Sequence, residues 1–305
     1  RGDSASTDLD LAREQALKLL PGQVRYVFSL TRSIVLPFLA ISTYLEARRR
    51  RRVRWWLLFL LTFAVGAFFA AATLEKSSVG ALLITLFLGA LFGRGRDLTP
   101  RRVASLGALG IGFPIFVTSS SVGFDLQRTG DVLLALGRRI FYLPSEVVFR
   151  YVDYTGEHGI FFMGRTLPYV SKYLPDGPVA IDNIIYLEYY GTGAITSGSA
   201  NAGYLGELWV NFGWYGALVG AFVVGALVCV LQHLIATAPR TTATVALRAI
   251  VVYQVVGLSS TGFSGMLDPF GPGSIWLLAG VFLIIGLASR RRRRTVRVSS
   301  NLVTV

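Results

Sequence analysis

Long apolar runs alternate along this chain with short, strongly charged connections. The runs cover about Tyr26–Tyr44, Trp55–Leu74, Val79–Phe92 and Val103–Val122. After a mixed stretch come Glu207–Thr237, Thr242–Ser260 and Ile275–Ser289. Several approach or exceed the ~20 apolar residues that span a bilayer. They are apolar on every face, without the ~10-residue alternating segments of a transmembrane barrel. A helix satisfies its own backbone hydrogen bonds in lipid, so each run is read as a helix. The pattern predicts an all-α, polytopic membrane helical bundle of seven spans, with no internal repeat.

The hydropathy divides the chain into four regions: 1–123 with four spans, 124–205, 206–289 with three spans, and a basic tail over 290–305. The second region, mixed and rich in Tyr, Gly and charge, is too long for a simple connection. It should contain short helices and packed loops of its own. The chain starts with Arg1 and shows no signal peptide, so it reads as part of something longer.

Charge then sets an orientation. The net charge is +13, which in a soluble protein points to nucleic acid. Here the basic residues stand in blocks beside apolar spans, as topology signals do, and nucleic acid is not expected as a partner. Arg48–Arg54, "GRGRDLTPRR", "PRTTATVALR" and the arginines at 290–294 all fall on one side if the spans alternate. That side is the cytoplasm by the positive-inside rule. "EKSS", the N-terminus and 124–205 then face outwards. The single cysteine, Cys229, lies inside a span and is expected to be a small buried side chain.

Charges on the outer side are not explained by topology, so they are the candidates for chemistry. Arg32 lies within an apolar span, where a charge costs roughly 2.5–3.5 kcal/mol on insertion scales and implies a partner or a function. Arg138, Arg139 and Arg165 fall in the large outer segment. Guanidinium groups suit phosphate or pyrophosphate, although salt bridging inside that segment is the commoner role for any one of them. His158 is the outer histidine and a candidate general base. Two histidines, His158 and His233, stand too far apart to suggest a metal site. The acids also lack a DxD-like pair. Glu207 opens "GELWVNFGWYGALVGAF", with Asn211 and aromatic rings close behind it. This places a carboxylate, an amide and stacking faces at one membrane surface, as sugar recognition requires. Asn183 is grouped with Asn211 as a substrate-binding amide. Gly216 and Gly220 have the spacing that lets helices approach closely.

Three stretches carry a family resemblance. "GYLGELWVNFGWYGALVGAFVVG" (203–225) resembles the acid, NFG and glycine-rich helix of bacterial oligosaccharide-repeat-unit polymerases, the Wzy-type O-antigen polymerases. "ATLEKSSVGALLITLF" (72–87) is similar to that family's basic helix end followed by Ser, with Lys76 where arginine is commoner. "RRIFYLPSEVVFRYVDY" (138–154) looks like the start of its outer segment. The resemblance implies a GT-C-like, lipid-carrier-type glycosyltransferase in the bacterial cytoplasmic (inner) membrane, with its active face outside. Its substrates would be undecaprenyl-pyrophosphate-linked oligosaccharides. It would use neither metal nor cofactor, and a chain-length regulator and a flippase would be its partners. On this resemblance Glu207 and His158 are the catalytic candidates. Arg32, Lys76, Arg138, Arg139, Arg165, Asn183 and Asn211 are the substrate-binding ones.

An O-antigen ligase using the same donor remains open, as does a transporter or flippase for lipid-linked glycans. Broken helices at the midplane and repeats would favour the transporter. The topology has a direct test. In a chain with Cys229 replaced, a cysteine introduced within 124–205 should react with a membrane-impermeant maleimide in intact cells. One introduced within 48–54 should stay protected. The reverse pattern would sink the orientation.

Overall fold

The computed structural model describes residues 21–72, 76–94, 99–101, 142–159, 161–191, 202–258, 261–267 and 274–302, with isolated residues between them. Side chains at 71–78, 168, 264 and 289–302 are not included. All regular structure among the described residues is helical. We number the helices α1 (Gly22–Arg50), α2 (Val53–Ala72), α3 (Lys76–Gly93), α4 (Leu143–His158), α5 (Ile181–Tyr189), α6 (Gly203–Thr237), α7 (Thr242–Leu258), α8 (Phe263–Leu267) and α9 (Ile275–Leu302). Three of these, α1, α2 and α6, are long and apolar enough to cross a membrane; Val79–Gly93, Thr242–Leu258 and Ile275–Ala288 are apolar but shorter. The predicted span at 103–122 falls almost wholly outside the described residues.

The chain forms two compact units: residues 1–122 with 240–253, and residues 123–239 with 254–305. In the first unit, α1 and α2 form a helical hairpin. Arg51 takes a left-handed conformation (φ 51°), and its N–H reaches the Ala47 carbonyl at 2.9 Å, which ends α1. Thr43 and Thr62 hydrogen-bond across the pair at 3.1 Å. α1 has one irregularity. Pro37 has no N–H to give Ser33, and its ring crowds the preceding turn. The turn Thr31–Val35 widens to absorb this, with the Leu36 N–H bonding five residues back to the Thr31 carbonyl. Arg32 lies in that widened turn. α3 packs on α1 through Gly89 and Gly93. A Cβ on Gly89 would lie 2.4 Å from Ile41 Cγ2, and one on Gly93 2.3 Å from Leu45 Cδ2. This glycine pair is the close-approach motif in the chain's first half.

In the second unit, α4, α5 and the first part of α6 enclose a core of Val147, Tyr151, Phe162, Ile181, Ile185, Ala200, Ala202 and Val210. α6 is not straight. Gly213 has φ 61° and ψ −146°, a conformation open essentially to glycine alone. The break folds the two parts of α6 together. A Cβ on Gly216 would meet the Leu208 carbonyl oxygen at 2.4 Å, and one on Gly220 would meet Leu208 Cδ1 at 2.0 Å. These glycines therefore admit the preceding part of their own helix rather than a separate one.

Residues 214–237, after the break, still reach ~36 Å at 1.5 Å per residue, enough for a bilayer core of about 30 Å. Their outer surface carries exposed Trp214, Leu218, Val219, Phe222 and Val230. Cys229 lies exposed on the same stretch rather than buried. The expectation failed because an apolar residue in a helix need not lie on the side that packs within its own unit.

Gly213→Ala should lower the unfolding midpoint in detergent, by the equivalent of about 1–3 kcal/mol. Gly225, with nothing within 4 Å of an added Cβ, is the control: Gly225→Ala should be neutral or stabilising.

Candidate functional site

The break at Gly213 places polar groups where an uninterrupted helix would have none. The carbonyls of Val210 and Asn211, just before it, accept the N–H groups of Phe162 (2.9 Å) and Met163 (3.2 Å). The loop after α4 is thereby held against the end of the first part of α6. Met163 (φ 48°) and Gly164 (φ 94°) turn that loop back, and the Gly164 N–H donates to Asn211 Oδ1 at 2.8 Å. Two side-chain bonds join α4 to this region. The Tyr151 hydroxyl donates to the Ala200 carbonyl at 2.7 Å, and Trp209 Nε1 donates to Thr155 Oγ1 at 3.0 Å.

Asn211 is fully buried and organises the site. Its amide nitrogen donates to Thr166 Oγ1 at 2.5 Å and to the Glu207 carbonyl at 2.7 Å. The Thr166 hydroxyl in turn donates to Glu207 Oε1 at 3.4 Å. Because a carboxamide nitrogen only donates, the hydroxyl proton must point onward. The chain Asn211, Thr166, Glu207 therefore has one direction and ends on a carboxylate oxygen as acceptor. Glu207 is only 7% exposed and lines a cavity of about 460 Å³. Tyr151, Thr166, Asp182 and Thr261 share that cavity with it. The Tyr151 phenol is pushed well above its ordinary range, first by burial and then by the neighbouring Asp182 and Glu207 carboxylates. It stays protonated and acts as a donor. A second cavity, about 610 Å³, lies between the starts of α4 and α6 and is mostly apolar.

The other candidate residues are placed elsewhere. His158 ends α4, exposed, about 10 Å along the helix from Tyr151 at 1.5 Å per residue. Asn183 is exposed on α5 and does not line the acidic cavity. Arg165 binds within its own loop: Nη2 donates to the Asp176 carbonyl at 3.1 Å, Nη1 pairs with the Asp176 carboxylate at 3.6 Å, and Nε reaches the Gly177 carbonyl at 3.4 Å. Arg138 lies over the Tyr142 ring. Arg32 belongs to the other unit, within electrostatic range of Tyr253. Lys76 starts α3, its side chain outside the described residues, and Arg139 is outside them entirely.

The structure thus joins Glu207 and Asn211 and adds Thr166, Tyr151 and Asp182, which sequence reasoning missed. The i, i+4 spacing of Glu207 and Asn211 marks those two as neighbours on one helix face. Nothing local marks Thr166 or Asp182. No family model, curated protein or solved structure matches the chain.

Asn211→Ala would leave the Gly164 N–H and the Thr166 hydroxyl oxygen without their buried partner. Each such loss costs about 1–3 kcal/mol. The variant should unfold at a clearly lower temperature or denaturant concentration, whatever its effect on activity.

Proposed function

We propose that this chain is a polytopic membrane glycosyltransferase of the lipid-carrier type, with a GT-C-like all-α bundle. In this reading it extends undecaprenyl-pyrophosphate-linked oligosaccharide repeat units on the outer face of the bacterial cytoplasmic membrane. The observation that carries the proposal is the buried Glu207, oriented by a one-way hydrogen-bond relay inside a cavity that Thr166, Asp182 and Thr261 also line. A buried carboxylate is expensive unless it is hydrogen-bonded or working. Here it is held by a threonine that is itself held.

The chemistry follows from this lining. A hydroxyl oxygen of the acceptor sugar attacks the anomeric carbon of the donor glycan. The bond from that carbon to the pyrophosphate oxygen breaks, and the electron pair leaves with lipid pyrophosphate. Glu207 takes the hydroxyl proton as general base. Asp182, Thr166 and Thr261 hydrogen-bond the other hydroxyls of the acceptor. Hydroxyls and carboxylates on the lining can hydrogen-bond sugar hydroxyls, so this reading assigns the cavity to the acceptor. Arginines would stabilise the negative charge on the leaving group.

The test is complementation of a strain lacking this gene. Loss of polymer with single repeat units retained identifies a polymerase. Loss of glycan transfer to the final acceptor, with polymer still made, identifies a ligase. Unchanged glycan on both counts removes the proposal. Glu207→Gln keeps the shape and the bond from Thr166 but cannot take a proton. It should reduce polymer formation by about a hundred-fold or more at normal expression, on the scale of general base contributions. A well-expressed Glu207→Gln protein that makes normal polymer would exclude Glu207 as the base.

A further inference from the structure

At the C-terminal end of α4, Glu157 and His158 meet Glu188 of α5, and their ligand atoms all lie within 4.8 Å of one another. The histidine is oriented for a specific role. Its ring stacks on Tyr154, with centroids 4.3 Å apart. Its Nδ1 is 3.0 Å from the Tyr154 carbonyl. A carbonyl only accepts, so Nδ1 carries the proton, and Nε2 presents its lone pair to the carboxylates in the neutral ring. Nε2 lies 3.9 Å from Glu188 Oε1, too long for a hydrogen bond. Two ligands each about 2.0–2.2 Å from one ion can stand up to about 4.4 Å apart, so this pair is within reach of a shared ion.

The surroundings agree. The Tyr189 hydroxyl donates to Glu157 Oε2 at 3.4 Å, as groups behind metal ligands commonly do. A bond from the other ring nitrogen to a backbone carbonyl is how a metal-binding histidine is usually oriented. Glu157, Glu188 and Asp153 all lie within electrostatic range of Tyr189. Among the described residues, the cation beside them is Arg150, which lies over the Tyr189 ring at 4.8 Å and pairs with Glu146 and Asp153. A patch of excess negative charge thus sits on a chain whose net charge is +13.

We propose that Glu157, His158 and Glu188 form a binding site for a divalent transition-metal ion, with Zn²⁺ as the fitting class, that clamps the end of α4 to α5. One imidazole and two carboxylates, with water completing the shell, favour a borderline ion over Mg²⁺ or Ca²⁺, which prefer oxygen alone. The clamp is positional. α4 carries Tyr151 and α5 carries Asp182, so the ion ties together the two helices that bring those groups to the acidic cavity. This site stands independently of the glycosyltransferase reading.

The experiment is a Zn²⁺ titration of the chelator-stripped, full-length protein in detergent at neutral pH, by calorimetry or against a chromophoric indicator. One saturable site is expected, with a rise in the unfolding temperature on binding. His158→Ala should abolish that site. The near-isosteric Glu157→Gln and Glu188→Gln should each weaken it by at least about tenfold. His233→Ala and Cys229→Ser should leave it unchanged. Absence of a saturable site, equal binding by the His158 and Glu188 variants, or binding of Ca²⁺ in preference to Zn²⁺ would each overturn the assignment. The glutamine variants at exposed positions keep the test valid should His158→Ala prove unstable.

Discussion

A buried amide holds the second unit together. Asn211 accepts from the Gly164 N–H and donates to Thr166 Oγ1, two bonds that cross from α6 to the loop after α4, and donates to the Glu207 carbonyl within α6 itself. Its backbone carbonyl receives Met163. These bonds form because α6 breaks two residues later, at Gly213. An unbroken helix would pass Asn211 into the apolar run, where an amide would be costly. The glycine, the amide and the loop are therefore one device: irregular backbone beside a membrane-length helix, tolerated because it packs against protein.

The same device settles the position of Glu207. A carboxylate at the start of a membrane helix could face lipid, headgroups or protein. One turn before Asn211, on the segment that folds back along Leu208 towards Gly216 and Gly220, it points into a protein-lined cavity. Its orientation depends on Thr166, and Thr166 depends on Asn211. The small residues that seemed to serve contact between separate helices make room for this fold-back instead. In the first unit the same physics works between helices, where Gly89 and Gly93 let α3 approach Ile41 and Leu45 of α1.

Basic residues illustrate how context divides one side-chain type. Arg165 closes its own loop on Asp176 and Gly177, and Arg150 pairs along its own helix. Each is an intramolecular fastening, the alternative reading for an arginine of the segment 124–205. Arg32 differs: it occupies a turn that Pro37 has already widened, so its position within an apolar helix is tied to a backbone irregularity. Charge and distortion coincide there, as they do at Glu207 and Gly213.

The sequence by itself determined the helical character of the chain and the membrane-length runs of α1, α2 and α6. Hydropathy over about twenty residues is a local property, and a helix in lipid closes its hydrogen bonds within itself. It also marked Glu207 and Asn211, because a polar residue at the edge of an apolar run is conspicuous without any partner. Tertiary structure alone decided the rest. Thr166 and Asp182 are ordinary loop and helix residues until packing places them on one cavity with Glu207. Glu188 lies thirty residues beyond His158, and only the packing of α5 against the end of α4 joins them. Counting histidines could not anticipate that cluster, since two of its three members are carboxylates on different helices. Cys229 failed for a related reason: apolar character shows that a residue avoids water, but only the fold shows which side of the helix meets protein.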